Sequence, residues 1–239
     1  MKKFCSIIVA YNEEKIIAGC LAGLTDIHNI VSISTPWQGE HYKFDRTAEI
    51  AKQMSAQVVL QNFKTEGEQR TAMSILAKEL GYDYILVIDA DEYYRKEDIQ
   101  KAVEFISNNH VDRYDIDVEY NFWKDENWEV RPRISKARLF CVPAGTIFSG
   151  YRNINVKKLL MPSDIVCYHF SYTGNDAKIL SKLTHFSHAH EVRKDWFENV
   201  WQKWIPEMKD IHPCVSHCFK QAIPFDCPED IKQRYNLKI

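Results

Sequence analysis

Tyr82-Asp83-Tyr84-Ile85-Leu86-Val87-Ile88 runs straight into Asp89-Ala90-Asp91-Glu92. Such a short apolar run is what a strand buried on both faces shows, and its end is loaded with carboxylates. Working back from it, the chain alternates. Phe4-Cys5-Ser6-Ile7-Ile8-Val9-Ala10 predicts a first buried strand. After Asn12, a residue suited to cap a helix, Ile16, Ile17, Cys20, Leu21 and Leu24 recur at helical spacing. Ile30 to Ser34 predicts a second strand, Thr47 to Met54 a second helix, and Gln57 to Leu60 a third strand. Thr65-Glu66-Gly67-Glu68 is a capping box that opens a third helix through Met73, Leu76 and Leu80. Strand and helix in turn mean a parallel sheet with helices on both faces, an α/β fold.

Beyond Glu92 the pattern changes. Ile116, Val118, Tyr120 and Phe122 alternate with polar residues, which predicts an antiparallel strand with one wet face. Ala137 to Cys141 and Asn155 to Leu160 predict further strands. From Asn175 the period is helical again, with Ile179, Leu183 and Phe186. Trp196, Phe197, Val200, Trp201, Trp204 and Ile205 form an aromatic stripe of the kind that serves as core or docking surface. The last thirty residues carry little pattern.

The 239 residues, 45% hydrophobic and 27% charged, can build one sizeable core, and no break divides them. We therefore expect one domain over 1–239, with a ligand-binding half at 1–92, a second half at 93–174 and a C-terminal helical segment at 175–239. The 31 basic residues against 33 acidic ones give a net charge of -2, which argues against a dedicated nucleic-acid binder. Disorder and fibrous repeats are excluded, since Gly and Pro number 8 each and no period recurs. Seven cysteines are too few, and odd in number, for a disulfide framework. Met1 to Ala10 resembles the start of a signal peptide, but Tyr11-Asn12-Glu13-Glu14-Lys15 breaks its apolar region. No stretch approaches the ~20 apolar residues of a membrane span, though peripheral membrane contact stays compatible with the sequence. The expectation is a soluble, cytoplasmic protein.

In open parallel sheets, ligands sit beyond the carboxyl ends of the strands. Two ends here carry chemistry: Ala10-Tyr11-Asn12-Glu13-Glu14 and Asp89-Ala90-Asp91-Glu92. Residues i and i+2 of an extended segment face the same way, so Asp89 and Asp91 can both address one divalent cation. Such a cation could bridge a nucleotide diphosphate and neutralise charge building on it as a leaving group.

Ile7-Ile8-Val9-Ala10-Tyr11-Asn12-Glu13-Glu14, then Asp45-Arg46-Thr47-Ala48-Glu49-Ile50-Ala51, then Ile85 to Glu92, resembles the nucleotide-sugar-binding half of family 2 glycosyltransferases of GT-A fold. Glu66-Gly67-Glu68-Gln69-Arg70, with His169-Phe170-Ser171-Tyr172 and Phe186-Ser187-His188 downstream, is similar to family 17 N-acetylglucosaminyltransferases. The resemblance implies that Ala10 and Tyr11 line the base and that Glu13 sits near the ribose or diphosphate. It also implies that Asp89 contacts ribose or metal, that Asp91 ligates the metal and that His169 is a late metal ligand. Carboxylates with an imidazole suit Mn²⁺ as well as Mg²⁺. Arg70 presents a guanidinium fork shaped for a diphosphate.

The chain departs from the family pattern in two places. Its second strand ends Ser32-Ile33-Ser34-Thr35-Pro36-Trp37, with no carboxylate before Glu40 to read the base, which leaves Trp37 to stack on it. An inverting enzyme also needs an acid to take the acceptor's proton, and Val130 to Ser163 contains none, with Tyr151-Arg152-Asn153 in the expected place. Glu191, beside His188 and His190, is the leading candidate for this catalytic base, ahead of Glu119 and Glu129. The same stretch carries Arg131, Arg133, Lys136, Arg138, Arg152, Lys157 and Lys158. It reads either as a face for the diphosphate or an anionic acceptor, or as a solvated hairpin surface. His212, Cys214, His217, Cys218 and Cys227 could hold a zinc ion, although their spacing matches no common finger. His185 shares a helical face with His188, and packing or acceptor contact accounts for it.

The expected function is metal-dependent glycosyl transfer. The donor is a nucleotide-sugar, a UDP-hexose or UDP-N-acetylhexosamine, and the acceptor a glycan, lipid-linked or protein hydroxyl. Two alternatives stay open: a sugar-phosphate nucleotidyltransferase, for which the chain lacks a Gly-rich phosphate loop, and a non-catalytic glycan- or protein-binding module on the same fold.

Overall fold

The computed structural model describes residues 2–34, 44–131, 138–152, 154–186, 189–214 and 220–237. In its first part β1 (Phe4–Ala10), α1 (Ile17–Ala22), β2 (His28–Ile33), α2 (Thr47–Gln53), β3 (Gln57–Leu60), α3 (Glu66–Glu79) and β4 (Tyr84–Asp89) alternate as the sequence predicts. There follow β5 (Glu92–Tyr93), α4 (Lys96–Asn108), β6 (Tyr114–Ile116), β7 (Val118–Arg131), β8 (Arg138–Pro143), β9 (Leu159–Leu160), β10 (Val166–Thr173), α5 (Asp176–His185), β11 (Gln221–Pro224) and α6 (Glu229–Tyr235).

Two sheets result. The larger has the order β3-β2-β1-β4-β8-β6-β9, and its first four strands are parallel. Every residue of β1 is buried, and the pleat sends its neighbours to opposite faces. Ile8, Leu86 and Ile88 pack on α1 and α4, while Cys5, Ile7, Ile85 and Val87 pack on Met73 and Ala77 of α3. Asp89 lies level with Val9 in the register, which brings the loop after β1 and the acids after β4 to one rim.

The second half is mixed. The single antiparallel strand expected through Ile116 and Phe122 is broken at Asp117 into β6 and β7, which join different sheets. β7 runs parallel to β10, register Val118 to Val166, and antiparallel to β11, in a smaller sheet of order β11-β7-β10-β5. The chain travels from β7 through β8 and β9 before it returns as β10, and this long connection permits the parallel pairing. The Trp stripe packs as core: Trp196, Phe197 and Trp201 bury against Trp123 of β7, with only one turn of π-helix over Phe197–Trp201. Asn12 does not cap α1. It adopts φ 54° and accepts a hydrogen bond from Asp45 N–H, and Glu13 C=O takes the first turn's N–H groups of Ile16 and Ile17.

Near the C-terminus, α6 packs on α1, and Arg234 donates to the carbonyls of Gly19 and Tyr94. The six described cysteines are free and buried. No described helix is long and apolar enough to cross a membrane.

Candidate active site

A cavity of about 490 Å³ opens at the carboxyl edge of the parallel strands. Ala10, Tyr11 and Glu13 line it from the end of β1, Arg70 from α3, Asp89 and Asp91 from the end of β4, and His169 from β10. The sequence-predicted donor and metal residues therefore share one cavity. Its far wall is α5, whose Lys178, Ser181, Lys182 and His185 reach it from the segment assigned to the C-terminal helical region. Tyr11 sits edge-on to His185, with ring centroids 5.7 Å apart.

The loop after β1 is clamped. Thr47 Oγ1 accepts from Glu13 N–H (2.8 Å), and Asp45 Oδ2 accepts from Glu14 N–H (3.0 Å). Asp45 also receives Thr47 N–H on Oδ1 (2.9 Å). The Asp45-Arg46-Thr47 motif thus positions Glu13. Trp37 and Glu40, considered above for the base, lie outside the described residues.

The two acids after β4 have different partners. The chain turns at Ala90 and Asp91, so the alternation of an extended strand stops at Asp89. Asp89 accepts from Arg70 Nη2 at 2.5 Å and Arg152 Nη1 at 3.2 Å, with Arg138 Nη1 at 3.5 Å. Burial opposes its charge, but Arg70, Arg152 and Arg138 outweigh that and hold the carboxyl well below its ordinary range. Asp91 instead accepts from Lys182 Nζ on Oδ2 (2.9 Å) and faces His169 Nε2 from Oδ1 (3.3 Å). Burial is again outweighed, here by Lys182 and His169, and the carboxyl is held low. One cation shared by Asp89 and Asp91 is not what these pairings offer, and among the described residues no group of three or more His, Cys, Asp or Glu is arranged to hold a metal.

His169 Nδ1 donates to Glu119 Oε1 at 2.7 Å, which turns Nε2 toward Asp91 and the cavity. Burial would lower its pKa, but Asp91 and Glu119 raise it to about 9. Arg70 spends Nε and Nη2 on Glu66 and Asp89, and only Nη1 keeps unused capacity; that atom is buried without a partner. Glu13 Oε2 makes no hydrogen bond and has Lys178 Nζ at 3.5 Å. Burial, the largest influence on Glu13, pushes its pKa up.

The three acids proposed as catalytic base do not line the cavity. Glu191 lies in the turn Ala189–Glu191 with His190 Nε2 at 3.7 Å. Glu119 is committed to Arg138 and His169, and Glu129 to Arg131. The acid-free basic stretch divides where it is described: Lys157 and Lys158 are exposed, as a solvated surface would have them, whereas two of its arginines are not. Arg138 and Arg152 are turned inward onto Glu92, Glu119 and Asp89, buried or half-buried carboxylates that need counter-ions beyond the Arg70 and His169 already beside Asp89 and Glu119. Arg133, Lys136 and Asn153 lie outside the described residues. No zinc site forms from the described Cys and His: Cys214 N–H donates to His212 Nδ1, while Cys227 packs in the main core. His217, Cys218, Ser187 and His188 lie outside the described residues.

Sequence reasoning missed Lys178, Lys182, Arg138 and Arg152 as partners of the rim acids. Ile179 and Leu183, the buried stripe of α5, imply that Lys178 and Lys182 share one flank beside it. Nothing local says what that flank meets.

The sequence profile described as Glycosyl transferase family 2 matches residues 42–184. No curated protein matches the chain. Among solved structures, the mannosyltransferase PcManGT from Pyrobaculum calidifontis, in complex with GDP-Man and Mn²⁺, aligns with TM-score 0.51 and 12% identity over 80% of this chain and 65% of its own. TarS from S. aureus aligns with TM-score 0.49 and 18% identity over 71% of this chain and 60% of its own. Its complex with UDP aligns with TM-score 0.40 and 22% identity over 50% of this chain and 36% of its own. The chain thus spans less than two thirds of these proteins. The family 17 resemblance has no counterpart in these matches. The architecture is that of the GT-A nucleotide-diphospho-sugar transferases. With more than half of its length inside the family profile, the chain belongs to glycosyl transferase family 2.

Proposed function

We propose that this chain moves a glycosyl group from a nucleotide-sugar to a hydroxyl on a glycan, lipid-linked or protein acceptor, with inversion at the anomeric carbon. The favoured donors are UDP-hexose and UDP-N-acetylhexosamine. The observation that carries the reading is the meeting of Asp91 and His169 at the carboxyl edge of β4, on a cavity of nucleotide-sugar size.

A divalent cation, Mn²⁺ or Mg²⁺, fits part of the expected ligand set. Asp91 Oδ1 and His169 Nε2 suit it: the imidazole is oriented from behind by Glu119, as outer carboxylates orient metal-bound histidines. Asp89 does not suit it, since its carboxylate is shared among three arginines. When bound, the ion would act as a Lewis acid toward the diphosphate. The chain's own residues bind and orient the donor. Tyr11 and His185 offer aromatic edges beside Ala10 for the base, and the clamped Glu13 faces the sugar-phosphate part. The acceptor oxygen forms a bond to the anomeric carbon as the donor's carbon–oxygen bond breaks. Its electron pair stays with the diphosphate, and the hydroxyl proton passes to a base.

The test is a panel of UDP- and GDP-sugars, with and without Mn²⁺, scored by release of free nucleotide. Slow hydrolysis of one donor, abolished in Asp91→Ala, is expected. If no nucleotide-sugar is bound or hydrolysed, the reading fails.

A further inference from the structure

Helix α5 places two ammonium groups on the cavity wall. Lys178 and Lys182 are four residues apart, one turn on the same face. Lys182 Nζ donates to Asp91 Oδ2 (2.9 Å) and Ser171 Oγ (2.7 Å), two of its three N–H groups. Lys178 Nζ is buried, makes no hydrogen bond, and has the Glu13 carboxylate at 3.5 Å. A buried ammonium with unspent donors beside a cavity favours an anion that can accept them. The guanidinium expected to serve the diphosphate, Arg70, is engaged by Glu66 and Asp89 and has a single nitrogen left over.

We propose that Lys178 and Lys182, rather than Arg70, grip the two phosphates of the donor. This rests on the nucleotide-sugar reading of the cavity. In the ligand-free protein Glu13 and Asp91 hold the two lysines at the cavity wall. The arriving diphosphate takes the remaining N–H groups, so the lysines meet it without leaving their acids. Lys182 contacts Oδ2 of Asp91 and His169 faces Oδ1, so lysine and imidazole do not compete for one oxygen. As the donor's carbon–oxygen bond breaks, the electron pair moves onto phosphate oxygens that the two ammonium groups already address.

The test compares UMP with UDP, and GMP with GDP, by calorimetry on the full chain in Mn²⁺, for wild type, Lys178→Met, Lys182→Met and the double variant. Each lysine removed is expected to weaken the diphosphate about tenfold or more, the scale of a charged hydrogen bond, with the monophosphate affected far less. Lys182→Arg is expected to recover part of the loss. Should Lys182→Met unfold because Asp91 loses one of its partners, Lys178→Met carries the test, since Lys178 makes no hydrogen bond and its 3.5 Å contact with Glu13 is the looser of the two lysine–acid pairs. An equal loss for mono- and diphosphate would make the lysines scaffold and overturn the proposal. Undiminished diphosphate binding in the double variant would overturn it too, leaving the nucleotide-sugar reading intact. If the wild type binds no nucleoside diphosphate, that reading falls and the lysine grip falls with it.

Discussion

Asp91 is 7% exposed and holds Lys182 on one oxygen and His169 on the other, so its loss leaves two buried cations without their main partner. Asp91→Asn should cost about 3–5 kcal/mol, the scale for breaking a buried ion pair, read as a lower urea midpoint. The same variant should lose nucleotide-dependent protection against heat. His169 gives a pH test in chelator-treated protein. Its pKa is raised to about 9 from the ordinary 6.5, so its charge stabilises the fold fully below pH 6.5. That contribution fades as pH rises through 9. The melting temperature should therefore fall over this window, and His169→Gln should flatten the fall; an unchanged slope would remove His169 from the ion-pair chain.

Helix α3 stands close against the turn at Gly150, and both glycines are there for a reason. A Cβ built on Gly67 overlaps the Gly150 carbonyl, and Gly150 itself has φ +87°, a region that only glycine enters without strain. Gly67→Ala should push the N-terminus of α3 off that turn and cost roughly 1–3 kcal/mol. Because α3 carries Glu66, Gln69 and Arg70 to the cavity, donor affinity should drop with stability. Calorimetry beside a denaturant curve checks both; wild-type affinity in a destabilised variant would mean that α3 does not shape the donor site. Elements of this kind were legible beforehand. The Thr65 half of the capping box formed as read, accepting from Glu68 N–H, while the Glu68 carboxylate reaches one residue further back to Lys64 N–H; both are contacts between near neighbours. Asn12 had the right residue type for a cap, yet it went to Asp45, 33 residues away, a competitor that no local pattern reveals.

The two sheets meet through charge as well as through apolar packing. Arg138 on β8 of the larger sheet donates to Glu92 on β5 and Glu119 on β7, both of the smaller one. Arg138→Met removes one counter-ion from each of two buried carboxylates, leaving Glu92 to Arg152 and Glu119 to His169, and should cost about 3 kcal/mol, with unfolding that stays cooperative only if the sheets remain joined. Comparing tryptophan fluorescence, which reports the cluster around Trp123, with far-UV circular dichroism would reveal any decoupling. Coincident transitions at an unchanged midpoint would deny Arg138 this role.

Hydrophobic period, caps and the acidic strand end, all set by residues within a few positions of one another, were enough to establish the parallel α/β half and the rim where its chemistry lies. Which acid of that rim meets which cation was decided only in three dimensions. Arg138, Arg152, Lys182 and His169 enter from elements 46 or more residues beyond the rim acids Asp89, Asp91 and Glu92 that they meet, and ion pairing obeys distance in space, to which periodicity along the chain is blind.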